Sequence, residues 1–447
     1  MIRAFALSAA APLPLALPVL FILTKNQRIR FTAAGGFLLV FLIWIISCLL
    51  GSLPFRLSRA APCFTDAFFE SVSGFSTTGI SIFTDVEILP RSLLLWRAMT
   101  NWLGGIGIVM LTAALFPLMG IGAFQLVKAE TTGPEKEKIS PKIAAAAKIL
   151  CLLYLGMTVL LAALLALGGM DWFDAVVHAL SAIATGGFSS RNKGIAAFSS
   201  PFIEWVCAVF MILSGYNFAL LYQLSRGRIR DVFRNSEGRA YVGILGISSL
   251  VAALSLYAGG EDFSTALRRS FFHCSSMLTT CGFATVDYNL WPPLAQGVLF
   301  LLMFAGGCSG STAGGLKVIR WVVLFKQAKN EAKRLLYPQG VFNIRLNHRV
   351  GRKDVVYGVA GFFFLYFAML AAAFLLTAGA GLEPWDSFNA ALLSLSNIGM
   401  GLGKPHNGAA LAGYPAYVKW GLCFFMIAGR LELWAVFVLF MPKYWRR

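Results

Sequence analysis

Charge is what this chain has least of. Asp, Glu, Lys and Arg make up 13% of its 447 residues, against roughly a quarter in soluble domains. Acidic groups are the scarcer kind, 20 against 38 basic. Four histidines (178, 273, 348 and 406) fall without metal-ligand spacing, and eight cysteines (48, 63, 151, 207, 274, 281, 308 and 423) form no CxxC pair. A zinc site and a disulfide framework are therefore disfavoured. No paired carboxylate, metal cluster or nucleophile–base set stands out, so neither an enzyme nor a bound cofactor is expected. No compositional break marks off a soluble domain longer than about 30 residues.

What stands in place of charge is hydrocarbon, with 58% of residues hydrophobic. Apolar runs cover Phe31–Leu50, Leu93–Leu115, Ile143–Leu167, Ile203–Leu221, Val242–Ala258, Leu294–Ala305, Val318–Phe325, Val356–Leu376 and Val418–Phe440. Most reach the roughly 20 residues that cross hydrocarbon, so the chain reads as an all-α polytopic membrane protein. Residues 5–23 are apolar but hold Pro12, Pro14 and Pro18, with basic residues after the run. They read as one extra N-terminal membrane helix and not as a signal peptide.

The net charge of +18 raises nucleic acid as a partner, but its distribution points elsewhere. The windows Lys25–Arg30, Lys128–Lys148, Arg226–Arg239, Lys317–Lys353 and Lys443–Arg447 hold 26 of the 38 basic residues. They fall on alternate connections, which places them, and the C-terminus, in the cytoplasm. Anionic lipid is the secondary partner that such segments attract. No nucleic acid is expected.

A small pattern occurs four times: Thr77-Thr78-Gly79-Ile80, Thr185-Gly186-Gly187-Phe188, Thr280-Cys281-Gly282-Phe283 and Asn397-Ile398-Gly399-Met400. The glycines lie 108, 95 and 117 residues apart, each after a short apolar stretch and before a long one. A stretch of about 12 residues is too short to span and suits a re-entrant helix. Asp66, Asp174 and Asp386 begin three of these stretches, 13 residues before Gly79, Gly187 and Gly399; Arg269 takes that place in the third. They suit a helix N-terminus by capping, and otherwise would draw cations into an outer vestibule. Irregular backbone survives at membrane depth only when it lines water or is buried in protein. Four extended segments aiming carbonyl oxygens at one axis could replace a cation's hydration shell. Glycine supplies the backbone freedom this needs, and residues 77, 185, 280 and 397 add a side-chain oxygen each. The competing reading is four unrelated tight turns in a transporter.

A second feature is the string Gly306-Gly307-Cys308-Ser309-Gly310-Ser311-Thr312-Ala313-Gly314-Gly315-Leu316-Lys317, which interrupts an apolar segment. It fails as a phosphate loop: Lys317 comes one place late and Val318 stands where Ser or Thr is required. A broken helix in a bundle instead marks an ion path or a moving part, here a gate below the third segment. Arg430, within the last apolar run, needs partners at membrane depth. Its five donors could hold the free carbonyls of the glycine-rich string; an Arg430–Glu432 pair is the simpler alternative. Glu70, His178 and His273, four residues after positions 66, 174 and 269, read as support for the short helices, with proton coupling a remote option. Asn101 and Asn217 read as interhelical hydrogen bonds.

These pieces carry a resemblance. TDAFFESVSGFSTTGIS at 65–81, RAMTNWLGGIGI at 97–108, ATGGFSSRN at 184–192, TTCGFATVDYNLW at 279–291, GGCSGSTAGGLKVIR at 306–320, SNIGMG at 396–401 and GRLE at 429–432 are similar to the bacterial Trk/Ktr potassium-uptake family, related to the plant HKT transporters. The match runs from about residue 31 to the end. It implies four pseudo-symmetric repeats of outer helix, pore helix, filter and inner helix around a central pore: 31–128, 143–226, 240–335 (with the broken inner helix) and 354–447, after an N-terminal segment 1–30. It implies Gly79, Gly187, Gly282 and Gly399 as filter glycines for potassium, a serine at the first of these positions favouring sodium in relatives. It makes 306–315 the intramembrane gating loop and Arg430 its contact. It also implies a homodimer in a bacterial inner membrane, regulated by a separate cytoplasmic nucleotide-binding ring of the TrkA or KtrA type. Residues 1–24 offer one helix where one branch of the family has two and another essentially none, which leaves the branch open.

The expectation is potassium uptake down its electrochemical gradient, gated by the broken helix. The alternatives are a sodium-preferring or sodium/proton-coupled relative and, more remotely, an organic-solute secondary carrier, which would require an inverted pair of repeats.

Overall fold

The computed structural model describes residues 1–11, 33–112, 139–340, 342–347, 349–350, 353–403 and 411–445. Most of the basic windows at 25–30 and 128–148, and residues 12–24 of the expected N-terminal helix, lie outside them. The part of that helix within them is α1 (Ile2–Ala10), whose Phe5 ring stands edge-on to Trp96 at 6.0 Å.

One order of elements then recurs. A long apolar helix, α2 (Ala33–Leu57), is followed by a short one, α3 (Phe64–Phe75), a glycine loop, and α4 (Arg91–Met110). The second unit is α5 (Ile139–Leu167), α6 (Trp172–Ile183), a loop, then α7 (Pro201–Gly215) and α8 (Phe218–Ser225). After the six-residue α9 (Ile229–Arg234) come α10 (Ser236–Ala258), α11 (Phe263–Leu278), a loop, α12 (Pro293–Met303) and α13 (Val318–Leu336). The last unit is α14 (Lys353–Ala378), α15 (Pro384–Ser396), a loop, α16 (Ala416–Arg430) and α17 (Leu433–Phe437). A two-residue antiparallel pair, β1 (Arg345–Leu346) with β2 (Arg349–Val350), precedes α14.

Packing closes this order into a ring. Each short helix lies against the long helix before it, α3 on α2, α6 on α5, α11 on α10 and α15 on α14. It also meets the helix that follows the glycine loop of the preceding unit: α4 packs on α6, α7 on α11, α12 on α15, and α16 returns to α3.

The bundle has an apolar core in which small polar side chains are set, and its outer faces are apolar, as lipid requires. Ser71, Ser73, Thr100, Asn101, Ser214, Ser276 and Ser394 are fully buried. Ile43 and Ile46 on α2, Val159 and Leu160 on α5, Ile247 on α10 and Phe364 on α14 are exposed. Among the described residues, five helices are long and apolar enough to cross a membrane, or up to seven if two bent pairs count as spans.

Those bent pairs depart from the continuous spans expected at 203–221 and 418–440. The chain turns by 108° between α7 and α8, and by 117° between α16 and the helical segment from Leu433 to Phe440. At the first break the carbonyls of Ser214 and Gly215 accept from Thr312 and Cys308 N–H of the glycine-rich string, at 3.3 and 2.8 Å, which takes them out of the helical ladder. Asn217 then restarts the helix by accepting from the N–H groups of Ala219 and Leu220. At the second, Glu432 sits at φ 66°.

Candidate functional site

The four short helices end alike. One or two residues beyond each, the chain turns left-handed at Thr77 (φ 53°), Thr185 (54°), Thr280 (58°) and Asn397 (56°). Gly79, Gly187 and Gly282 are left-handed too, at 80°, 76° and 79°. Gly399 does not share this conformation, which corrects the expectation that all four glycines are needed for it. Left-handed threonine costs about 1–3 kcal/mol and persists only where the surroundings enforce it.

The loop N–H groups are spent backward on the short helices. Thr78 and Gly79 donate to Ser73 O (2.9 and 3.3 Å), Gly186 to Ser181 O (2.9 Å), Cys281 and Gly282 to Ser276 O (2.9 and 3.4 Å), and Ile398 to Leu393 O (3.0 Å). The carbonyls are not spent. Among the described residues, no hydrogen bond ends on the main-chain oxygens of 77–79, 185–187, 280–282 or 397–399. Buried carbonyls without donors are rare enough to require a partner of another kind.

The loops also touch in rotation. A Cβ on Gly79 would collide with the Gly186 carbonyl, and one on Gly187 with that of Cys281. On Gly282 it would lie 2.6 Å from Gly399 N, and on Gly399 3.0 Å from Thr78 O. First meets second, second third, third fourth, and fourth first. On the side of the residues that follow the glycines, a cavity of about 700 Å³ is lined from all four loops, by Gly79, Gly187, Phe283 and Gly399 among others. Of the side-chain oxygens expected to join the carbonyls, Thr77 Oγ1 finds no partner among the described residues. Thr185 Oγ1 donates to Ala184 O at 2.6 Å, and Thr280 Oγ1 accepts from Gly314 N at 2.7 Å.

Side chains from the short helices fix the chain beyond each of the first three glycines. Glu70 accepts from Ser81 Oγ (3.0 and 3.1 Å) and Ile82 N (3.0 Å) while its other side pairs with buried Arg97 at 2.7 Å. His178 joins Asp174 O (2.7 Å) to Ser189 Oγ (2.9 Å). His273 accepts from Thr285 N at 3.3 Å. Ala390 holds the matching place in the fourth unit.

Two of the three aspartates expected as caps or vestibule anions are committed to ion pairs. Asp66 pairs with Lys419 at 2.7 Å and Asp174 with Arg191 at 2.6 Å, while Asp171 and Asp262 cap α6 and α11. Above the loops, Asn192 of the second donates to Asp85 of the first at 2.7 Å. That bond, and the Glu87 N–H after it, hold Asp85 below the usual carboxylate range.

The glycine-rich string lies against all of this. Besides its bonds to Ser214 and Gly215, Thr312 Oγ1 donates to Ile183 O at 3.1 Å, and Ser309 O accepts from Asn217 Nδ2 at 2.6 Å. Ser309 N donates to Glu237 at 2.6 Å, and Lys317 folds back to Ala313 O. A Cβ on Gly314 would lie 2.5 Å from Ser396 O. Arg430, 3% exposed, donates to Thr312 O at 2.6 Å and Gly104 O at 3.3 Å. Glu432 pairs with Arg320 and not with Arg430. Asn101 donates to Ser181 Oγ at 2.9 Å, across α4 and α6. Sequence reasoning missed Glu237 and Lys419. Lys419 carries the signal that singled out Arg430, a charge inside an apolar run; Glu237 opens α10 and carries none.

A multi-span helical bundle with bare carbonyls at the junction of four loops, and a loop packed beneath them, is a membrane transport protein. The chain belongs to the TrkH cation transport protein family, whose sequence pattern matches residues 11–238 and 255–447. It is 39% identical over 428 residues to the Trk system potassium uptake protein TrkH of Escherichia coli, covering 94% of this chain and 88% of that one. The TrkI protein of Halomonas elongata is 34% identical over 446 residues, covering 99% and 90%. The crystal structure of the potassium transporter TrkH from Vibrio parahaemolyticus matches with a TM-score of 0.86 at 33% identity, covering 94% and 88%.

Proposed function

We propose that this protein takes up potassium across the cell membrane through the ring of four glycine loops, with the string at 306–315 as its gate. The observation that carries this reading is the set of carbonyls at 77–79, 185–187, 280–282 and 397–399 that accept no hydrogen bond among the described residues. Main-chain oxygens in that number can take the place of water around a desolvated alkali ion, and several weak sites in series let it leave. The names of the relatives agree on the ion: those proteins are potassium uptake proteins or a potassium transporter. On this reading the four units at 31–128, 143–226, 240–335 and 354–447 are the filter's repeats. The membrane potential supplies about 2.3 kcal/mol per charge per 100 mV, so no coupling ion is required by the energetics.

The gate assignment rests on position. The string hydrogen-bonds Ile183 O beside the second loop and Thr280 in the third, presses Gly314 against Ser396 beside the fourth, and is fastened by Arg430. A second copy of the chain and a cytoplasmic nucleotide-binding ring complete the proposal. Basic Lys326, Lys329, Lys333 and Arg334 on α13 offer such a ring an electrostatic match.

Two experiments on the full chain in liposomes test the two halves. Gly79→Ser forces a Cβ onto the Gly186 carbonyl, so the potassium-to-sodium permeability ratio should fall. An unchanged ratio would reject the filter. Deleting residues 308–314 should raise potassium flux; a lower flux from a well-folded deletion would reject the gate.

A further inference from the structure

Where the ring closes, between the fourth loop and the first, one side chain bridges positions 319 residues apart. The Asn397 amide nitrogen donates to Thr78 Oγ1 at 3.0 Å and to Met426 O of α16 at 2.8 Å, so both its hydrogens are used. Asn397 is fully buried, and its Oδ1 meets no donor among the described residues. Thr78 Oγ1 lies in turn 2.7 Å from Ser76 Oγ. The other three loops carry threonine at this place, and a hydroxyl, with one hydrogen, cannot donate to two acceptors. Asparagine also tolerates the left-handed backbone found there, φ 56°. The substitution coincides with a loss: the fourth unit has Ala390 where Glu70, His178 and His273 fix the other loops.

We propose that Asn397 sets ion specificity as a cross-brace and not as an ion ligand, holding the fourth loop to the first at the seam where the ring would otherwise relax. The inference rests on the reading of the four loops as a filter. A smaller ion is discriminated against only while the oxygens are kept from closing on it, and an unbraced seam lets one quarter of the ring move inward.

The test uses the full chain in liposomes, with potassium, rubidium and sodium fluxes measured under one gradient. Asn397→Thr and Thr78→Val should each lower the potassium-to-sodium ratio roughly threefold to tenfold, the scale of one lost neutral hydrogen bond. Potassium flux itself should change less than the ratio. The double variant should be no worse than the poorer single one, because both remove the same brace. Unchanged ratios in both singles, or losses that multiply in the double, would overturn the proposal. Gly79→Ser separates the failures: a ratio that falls there but holds at Asn397 sinks the brace alone, whereas a ratio that holds in both sinks the filter as well. Should Asn397→Thr not assemble, Thr78→Val carries the same test without disturbing the left-handed residue.

Discussion

In the first glycine loop the backbone is left-handed twice, at Thr77 and Gly79, and a buried carboxylate grips it beyond the glycine through Ser81 and Ile82. In the fourth, across 397–399, it is left-handed at Asn397 alone, and no side chain of its own short helix stands at Ala390 as Glu70 does in the first. The hold comes from Asn397 to Thr78 and Met426 before the glycine and from Tyr288 of the third unit to Gly401 O beyond it. The second and third loops follow the first, with His178 and His273 in the place of Glu70. Four loops thus reach one junction by two mechanisms. The difference also separates two reasons for keeping glycine. At 79, 187 and 282 the residue serves its conformation and the space around it. At 399 only the space is in question, since an added Cβ would stand 3.0 Å from Thr78 O and 3.4 Å from Cys281 O.

The sharpest way to break this contrast is to put one methyl group at each position in turn. Gly79→Ala and Gly187→Ala combine a left-handed backbone, at about 1–2 kcal/mol for an L-residue, with a collision against a neighbouring carbonyl. Both should abolish selective potassium uptake. Gly282→Ala should follow closely, its Cβ falling 2.6 Å from Gly399 N. Gly399→Ala asks the neighbours to give by only a few tenths of an ångström, and should keep measurable uptake with a reduced potassium-to-sodium ratio. Rescue of a potassium-uptake-deficient host at low external potassium ranks the four. Equal severity at 399 and 79 would erase the distinction.

How much of this can be read in the chain itself follows from the range of each interaction. The fourfold Thr-x-Gly or Asn-x-Gly pattern, the short helices before it and the glycine-rich string are local, and local patterning reports them. The breaks at 215–217 and 431–432 are not. Residues 203–221 are predominantly apolar without an internal proline, and the carbonyls that leave the ladder there do so for Thr312 and Cys308, more than 90 positions along the chain. The destination of Asp66 is of the same kind: it looks like a helix cap until Lys419 arrives from the far end of the sequence. The fourth loop's departure had a visible mark, Asn397 among threonines, but its meaning depends on a partner in the first loop and an alanine at 390, which only the closed ring brings together.

The ties from the short helices to the chain beyond the glycines give the finer grading, because their chemistry falls in strength from the first loop to the third. Glu70→Gln leaves Arg97, 2% exposed, without its counter-charge, which costs about 3–5 kcal/mol for a buried pair broken on one side. His178→Phe keeps a ring beside Phe198 and Phe283 but loses the 2.9 Å bond to Ser189, worth about 1 kcal/mol. His273→Phe should cost least: each histidine also loses a bond to its own helix, Asp174 O at 2.7 Å or Arg269 O at 2.8 Å, and the bond lost beyond the glycine, from Thr285 N, is the longest of the three at 3.3 Å. Unfolding of the detergent-solubilised protein orders the three stabilities, and the permeability ratio should fall in the same order. If His273→Phe proved as damaging to the ratio as Glu70→Gln while sparing stability, the third loop would have to be held through its main chain in a way its neighbours are not. The first three loops could then no longer be treated as one class against the fourth.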